Sequence, residues 1–256
     1  MASKHVEVVG LTGMPEIAPG DDLAVLILEA SRREKLELVD GDVIVITQKI
    51  VSKAEGCIES LSDVKPSSIA STFARESGKD PRLVELALRE AKRIVRMDRG
   101  VLITETLHGF VCANSGVDAS NVGSPDAATT LPREPDRSAQ RLRRELQDAT
   151  GARIAVILSD TFGRPWREGV ANVAIGIAGL NPLNDYRGRS DADGRSLAST
   201  VIAVADELAG AAELVMGKLD RIPVAVVRGY RYTFLDDGRD EGARSLVRDE
   251  AHDLFR

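Results

Sequence analysis

The chain has 256 residues, 43% of them hydrophobic, and its 34 lysines and arginines face 40 aspartates and glutamates, for a net charge of −6. That length can bury a sizeable core in one large or two small domains, and the ordinary apolar content excludes a disordered chain. An acidic balance with both signs interspersed excludes broad binding to nucleic acid or a membrane surface, which needs a concentrated basic face.

The first residues, Met-Ala-Ser-Lys-His, lack the apolar stretch of a signal peptide. Residues 6–10 predict a short strand, and residues 21–33 a helix behind the start signal Pro19-Gly20-Asp21-Asp22. Residues 42–47 predict a buried strand ending in polar residues. Cys57 and Cys112 belong to no C-x-x-C pair, so buried free thiols are expected, not a disulfide scaffold or a zinc cage. Residues 66–76 predict a helix. A stronger one begins at Asp80-Pro81, with Asp as N-cap, and Val84, Ala87, Leu88, Ala91, Ile94 and Val95 keep helical spacing. Residues 101–104 and 109–112 resemble a strand pair, followed by a polar loop over 113–122. Residues 123–137, rich in Pro, Ser, Thr, Asp and Ala, predict a surface loop or linker. Residues 138–150 predict a basic amphipathic helix stopped by Gly151. The arginines at 137, 141, 143 and 144 predict a solvated face.

Residues 154–158 predict a buried strand that empties into Ser159, Asp160 and Thr161. Residues 171–180 are small and apolar without a clean period, and 181–189 form a loop dense in turn formers. Residues 196–215 predict one long helix, with Val201, Ile202, Ala205, Leu208, Ala212 and Val215 on one face. Residues 223–229 predict another buried strand, and the C-terminal tail a helix. No run approaches 18 apolar residues, so no membrane span is expected, and a cytoplasmic protein follows. The interleaving favours an α+β or mixed α/β fold with an inserted second domain.

The segment Ile157-Leu-Ser-Asp-Thr-Phe-Gly-Arg-Pro-Trp-Arg-Glu-Gly169 carries the most chemistry. Open α/β sheets bind ligands beyond the carboxyl ends of their strands. There a carboxylate followed by a hydroxyl offers oxygen ligands to a hard cation beside phosphate. The plainer reading makes Asp160 a cap for the next turn. Standard P-loop, Rossmann, H-E-x-x-H and G-x-S-x-G motifs are missing. With only His5, His108 and His252 present, a metal would be held by oxygen, which favours Mg²⁺ or Mn²⁺. Asp118 and Asp160 could share one or two cations bridging phosphate oxygens, with lysines neutralising the remaining charge.

These segments occur in an order that resembles one family. They are Gly13-Met-Pro-Glu-Ile-Ala-Pro-Gly-Asp-Asp22, Ile50-Val-Ser-Lys-Ala-Glu-Gly56, Gly116-Val-Asp-Ala-Ser-Asn121, the 157–169 segment, Asp185-Tyr-Arg-Gly188, the 205–218 run and Ile222-Pro-Val-Ala-Val-Val-Arg-Gly229. Together, from about residue 8 to about 235, they resemble the coenzyme F-420-0:γ-glutamyl ligase family. The resemblance implies a GTP-dependent amide ligase that activates a carboxylate of F-420-0 as an acyl phosphate. The amine of L-glutamate then attacks, releasing GDP and phosphate, and further rounds extend a γ-linked tail.

Carried over residue by residue, the resemblance makes Asp118 and Asp160 catalytic and ligands of one divalent metal, Mg²⁺ or Mn²⁺, with Thr161 joining a second. Met14, Pro15, Glu16, Ile17, Gln48, Lys49, Lys53, Asn121, Met216, Gly217, Lys218, Leu219, Asp220, Arg221, Ile222 and Pro223 would line the GTP site. It also implies two-domain subunits in an intertwined homodimer. Residues 1–256 would form a single ligase unit with discontinuous subdomains and no fused flavin domain, so no flavin is expected.

Two positions depart from the family pattern. Gln48 stands where the family often has Ser, so a longer amide replaces a small hydroxyl. Lys218 falls where some relatives place a neutral ligand for the second metal, and a protonated lysine cannot ligate a cation. Two competing readings use the same residues: a metal-dependent phosphohydrolase or phosphotransferase, and a non-catalytic nucleotide-binding regulator. GDP release only with acceptor and glutamate together separates the ligase from both.

Overall fold

The most apolar runs of the sequence become the central sheet of the computed structural model, which describes residues 5–236 and 242–253. In chain order the elements are β1 (Glu7–Gly10), α1 (Leu23–Arg33), β2 (Val43–Thr47), α2 (Gln48–Ala54), β3 (Ile58–Ser60), α3 (Ser68–Ser77), α4 (Pro81–Arg89), β4 (Ala91–Asp98), β5 (Val101–Thr106) and β6 (Val111–Ala113). They continue with β7 (Ala127–Thr129), α5 (Pro135–Thr150), β8 (Ala155–Arg164), β9 (Arg167–Ala178), β10 (Leu183–Asp185), β11 (Val201–Ala203), α6 (Val204–Met216) and β12 (Val224–Arg228). The fold is mixed α/β, with several sheets.

The central sheet has the order β1-β12-β2-β8-β9. Only β2 and β8 are parallel; the other three pairings are antiparallel. Val43–Ile46 of β2 and the first five residues of β8 are buried without alternation, because helices cover both faces of the sheet. α5 packs on β8 and β9, and α6 packs on β9, β1 and β12. A three-stranded sheet, β4-β5-β6, and two strand pairs, β3-β7 and β10-β11, complete the topology. α3 and α4 pack with Leu102 of β5 in a second apolar cluster, and Leu61, Val64, Leu86 and Ala128 form a third.

Local chemistry sets the helix ends. Asp22, Ser67 and Asp80 each cap their helix by accepting a backbone N–H, a contribution of about 1 kcal/mol apiece, and Pro81 starts α4. Gly78 and Gly151 end α3 and α5 in the left-handed conformation.

Several expectations change. The helix predicted from Asp80 stops at Arg89, and residues 91–98 become β4 with alternating burial. Pairing with β5 overrides the helical spacing of Ile94 and Val95. The long helix predicted over 196–215 starts only at Val204, since Val201 and Ile202 pair with β10. The 123–137 linker holds β7, which pairs with β3, and Ala128–Leu131 are buried there. Arg143, expected in solvent, is buried and donates to the Ile154 carbonyl at 2.9 Å. The residues 171–180 lie largely in β9. The tail forms two short 3-10 turns over Gly242–Leu246 and Glu250–His252; residues 237–241 and 254–256 lie outside the described residues.

Candidate active site

One end of the central sheet gathers most of the polar segments. β2 and β8 run parallel, with Thr47 beside Ser159, so both deliver their carboxyl ends to the same edge. β12 is antiparallel to β2, so its entry, through Pro223, arrives at that edge too, and the Thr47 N–H donates to the Pro223 carbonyl. β1 is antiparallel to β12 and exits there, where the Leu11 N–H donates to the Val224 carbonyl. The loop carrying Met14 to Ile17, the start of α2, the β8–β9 arm and the 217–223 loop therefore converge by topology. The segment after β6 supplies the facing wall. Together they bound a cleft of about 920 Å³.

Asp160 does not sit in a loop, as the sequence suggested. β8 continues through it to Arg164, and Asp160 pairs with Val173 in a long hairpin. A register shift between Leu158 and Ser159 interrupts the ladder just before it. Such irregularities re-aim side chains next to sites, and here Ser159, Asp160 and Thr161 all line the cleft. Asp118 is fixed by backbone: its N–H donates to the Thr129 carbonyl at 3.0 Å and its carbonyl accepts from the Thr129 N–H at 2.8 Å. Val117 packs against both smaller apolar clusters and anchors the same segment. The plainer reading of Asp160 as a turn cap is therefore overturned by its place inside a strand.

α2 begins directly after β2 and aims its first turns at the cleft. Lys49 Nζ donates to Asp118 Oδ2 at 2.6 Å and to the Ser120 carbonyl at 2.8 Å. Lys53, one turn later and almost fully buried, pairs with Glu16 and donates to the Asn121 carbonyl at 2.5 Å. Gln48 is buried, and its carbonyl oxygen accepts from the Ser52 hydroxyl at 2.8 Å. α6 ends at Met216, and Gly217 turns the chain into the cleft with φ 59° and ψ 178°, a conformation essentially confined to glycine. Lys218 then donates to the Thr161 hydroxyl. Asn121 and Arg221, both cleft-lining, also hold positive φ.

The two carboxylates differ in their surroundings. Burial pushes Asp160 up to about 6, the Asp118 charge adds to the rise, and the Thr161 N–H and the charges of Lys218 and Lys49 oppose it. Burial would also raise Asp118, but hydrogen bonds from Lys49 and Ser120 outweigh it and hold the group below its ordinary value. Cys112, which also lines the cleft, is pushed up to about 12 by burial and by the Asp160 charge, so it is an inert thiol. Both cysteines are free and buried, as expected.

Every residue expected at the site lines this cleft except Met216 and Asp220. Met216 is fully buried in the main core, and Asp220 turns back against Gly217, where a Cβ would lie 2.3 Å from Asp220 Oδ2. Sequence reasoning missed Asn172 and Glu213. Asn172 Nδ2 donates to Glu213 Oε2 at 2.8 Å, and Thr161 donates to Asn172 Oδ1 at 2.8 Å. The signal available was Asn172 as the one polar residue in an otherwise small and apolar run. The Asp185–Arg187 loop lies away from the cleft and pairs with itself.

Asp118 and Asp160 are acidic side chains of the cleft that could hold a divalent cation. Among the described residues no three His, Cys, Asp or Glu side chains converge into a cage, and no side chain ion-pairs with Asp160. Mg²⁺ typically takes one or two carboxylates, keeps waters and fills the rest of its shell with substrate phosphates. Asp118 and Asp160 match that pattern. Among the described residues no helix is long and apolar enough to cross a membrane.

A family model described as F420-0:Gamma-glutamyl ligase matches residues 12–229. The chain is 50% identical over 252 residues to a protein of Methanothermobacter thermautotrophicus named Coenzyme F420:L-glutamate ligase, covering 98% of this chain and 99% of that one. A protein of the same name from Methanopyrus kandleri is 47% identical over 242 residues, 94% of each chain. One from Methanocaldococcus jannaschii is 42% identical over 254 residues, covering 99% of this chain and 98% of its own length.

Proposed function

The chain belongs to the F420-0:γ-glutamyl ligase family, and from that premise we propose that it joins L-glutamate to coenzyme F-420-0 at the expense of GTP, through an acyl phosphate. The observation that carries the reading is the gathering of Asp118, Asp160, Lys49, Lys53 and Lys218 around one cleft at the strand ends. A carboxylate is a poor electrophile, and phosphorylation gives it a good leaving group. The reaction brings together two anions, the acceptor carboxylate and the GTP triphosphate, so the site must present fixed positive charge.

In this reading Asp118 and Asp160 hold a divalent cation, which when bound screens the phosphate oxygens and draws charge from the transferring phosphoryl group. Met14 to Ile17 and Gly217 to Pro223 flank the nucleotide with backbone. Lys49 and Lys53 bind phosphate oxygens, as compact charges on α2 directly below the groove. Gln48 is oriented by Ser52, so its NH₂ group is set to donate to the nucleotide. An acceptor carboxylate oxygen forms a bond to the γ-phosphorus as the bond to GDP breaks. The glutamate amine then bonds to the acyl carbon, phosphate leaves, and the amine gives up a proton.

We also propose that the working unit is a homodimer. The tip of the β8–β9 hairpin projects Trp166 and Val170 into solvent, at 83% and 61% exposure. Such apolar surface on an extended arm suits a second subunit.

The test is product analysis with GTP, Mn²⁺, glutamate and F-420-0. GDP and a glutamylated product should appear only when acceptor and glutamate are both present. GDP from GTP alone would favour hydrolysis, and binding without turnover a regulator.

A further inference from the structure

Thr161 is the residue expected to join a second cation, and its hydroxyl is already engaged. Thr161 Oγ1 donates to Asn172 Oδ1 at 2.8 Å and accepts from Lys218 Nζ. Asn172 Nδ2 donates to Glu213 Oε2 at 2.8 Å, and Glu213 Oε1 lies 3.8 Å from Lys218 Nζ. The four side chains close a ring, and the Lys218 ammonium sits where the oxygens of Thr161 and Glu213 converge. The Thr161 hydroxyl is the oxygen that a second divalent ion was expected to use. An ammonium offers three donors and no acceptor, so it cannot ligate a metal. A doubly charged ion on Thr161 would meet a like charge on the far side of the same hydroxyl. The residues present therefore do not fit a second metal.

We propose that this chain holds one divalent cation per site and that the Lys218 ammonium takes the place of the second. The inference rests on the reading of Asp118 and Asp160 as metal ligands. Lys218 supplies one positive charge where an ion would supply two, and Glu213 holds that charge in place. The lysine comes with the fold, so this part of the site needs no metal uptake.

Equilibrium dialysis against Mn²⁺, with a non-hydrolysable β,γ-imido analogue of GTP, counts bound metal and bound nucleotide together. The wild-type protein should bind one Mn²⁺ per nucleotide. Lys218→Gln and Lys218→Met, at an exposed loop position where folding is not at risk, should each bind two at the same free Mn²⁺. Two ions in the wild type, or one in both variants, would overturn the inference. Asp160→Asn should lose the wild-type ion. Retention of that ion by Asp160→Asn, or a wild type that binds none, would overturn the metal reading and the inference with it, a failure visible before any Lys218 variant is compared.

Discussion

Asp160→Asn removes a carboxylate that the folded chain holds against its preference for ionisation. Burial is the main cause, the Asp118 charge adds to it, and the group titrates at about 6 in place of 3.8. For an acid, a raised folded value means that the unfolded chain gives up the proton first. Below about pH 3.8 both states are protonated and the group is neutral to stability. Between 3.8 and about 6 its cost grows, and above about 6 the cost is constant. The difference between those two values corresponds to about 3 kcal/mol of lost stability at pH 8 in the metal-free protein. Urea unfolding in the presence of a chelator reads this out for wild type and variant at pH 4 and pH 8. The variant should gain about 2 kcal/mol or more on the wild type between the two pH values. Every pH-independent consequence of the swap cancels in that comparison. Saturating Mn²⁺ at pH 8 should stabilise the wild type and leave the variant unchanged. A stability difference that stays the same from pH 4 to pH 8 would refute the account of Asp160 as a buried carboxylate waiting for a cation.

In steady-state assays, Asp118→Asn and Asp160→Asn should each lower turnover by two orders of magnitude or more, roughly 3 kcal/mol of transition-state stabilisation, with the fold retained by circular dichroism. The double variant should cost far less than the sum, because the two acids act on one ion. Lys53→Ala should raise the Michaelis constant for GTP clearly and that for glutamate less; equal effects on both would point to a structural lysine. Light scattering over a hundredfold dilution should give a dimer mass, and Trp166→Asp should shift it towards the monomer if the interface, on the order of 2,000 Å², includes the hairpin tip. A fully active monomer would rule the dimer out.

Much of the central sheet was legible because its strands are continuous apolar runs bounded by turn residues, as in 42–47, 154–158 and 223–229. The cap Asp80 was legible from its place before Pro81, and the Pro19–Asp22 start signal placed the first helix to within two residues of its start at Leu23. Where the reading failed, distant partners decided. Ala91, Ile94 and Val95 keep helical spacing, yet β5 recruits residues 91–98 as a strand. Val201 and Ile202 extend the apolar face of α6 by spacing alone, but β10 claims them. The strand at 154–158 was legible, but its continuation through Asp160 was not, because polar residues there pair with β9 instead of ending the sheet. The cleft residues were found from an ordered set of short segments. Asn172 and Glu213 were not, since one lies in a run read as small and apolar and the other in a helix read by its apolar face, and only the fold brings both to the cleft. Met216 was expected there because it adjoins Gly217 in sequence, whereas the last turn of α6 directs it into the core.

The most direct test of the proposed chemistry follows an oxygen atom. F-420-0 carrying ¹⁸O in the carboxylate to be activated is incubated with GTP, Mn²⁺ and L-glutamate, and the released phosphate is analysed by mass spectrometry. Attack of that carboxylate on the γ-phosphorus, followed by displacement of phosphate by the amine, predicts one ¹⁸O in the phosphate for each amide formed. Amide formation accompanied by unlabelled phosphate would contradict an acyl phosphate and, with it, the roles given to Asp118, Asp160 and the lysines of the cleft.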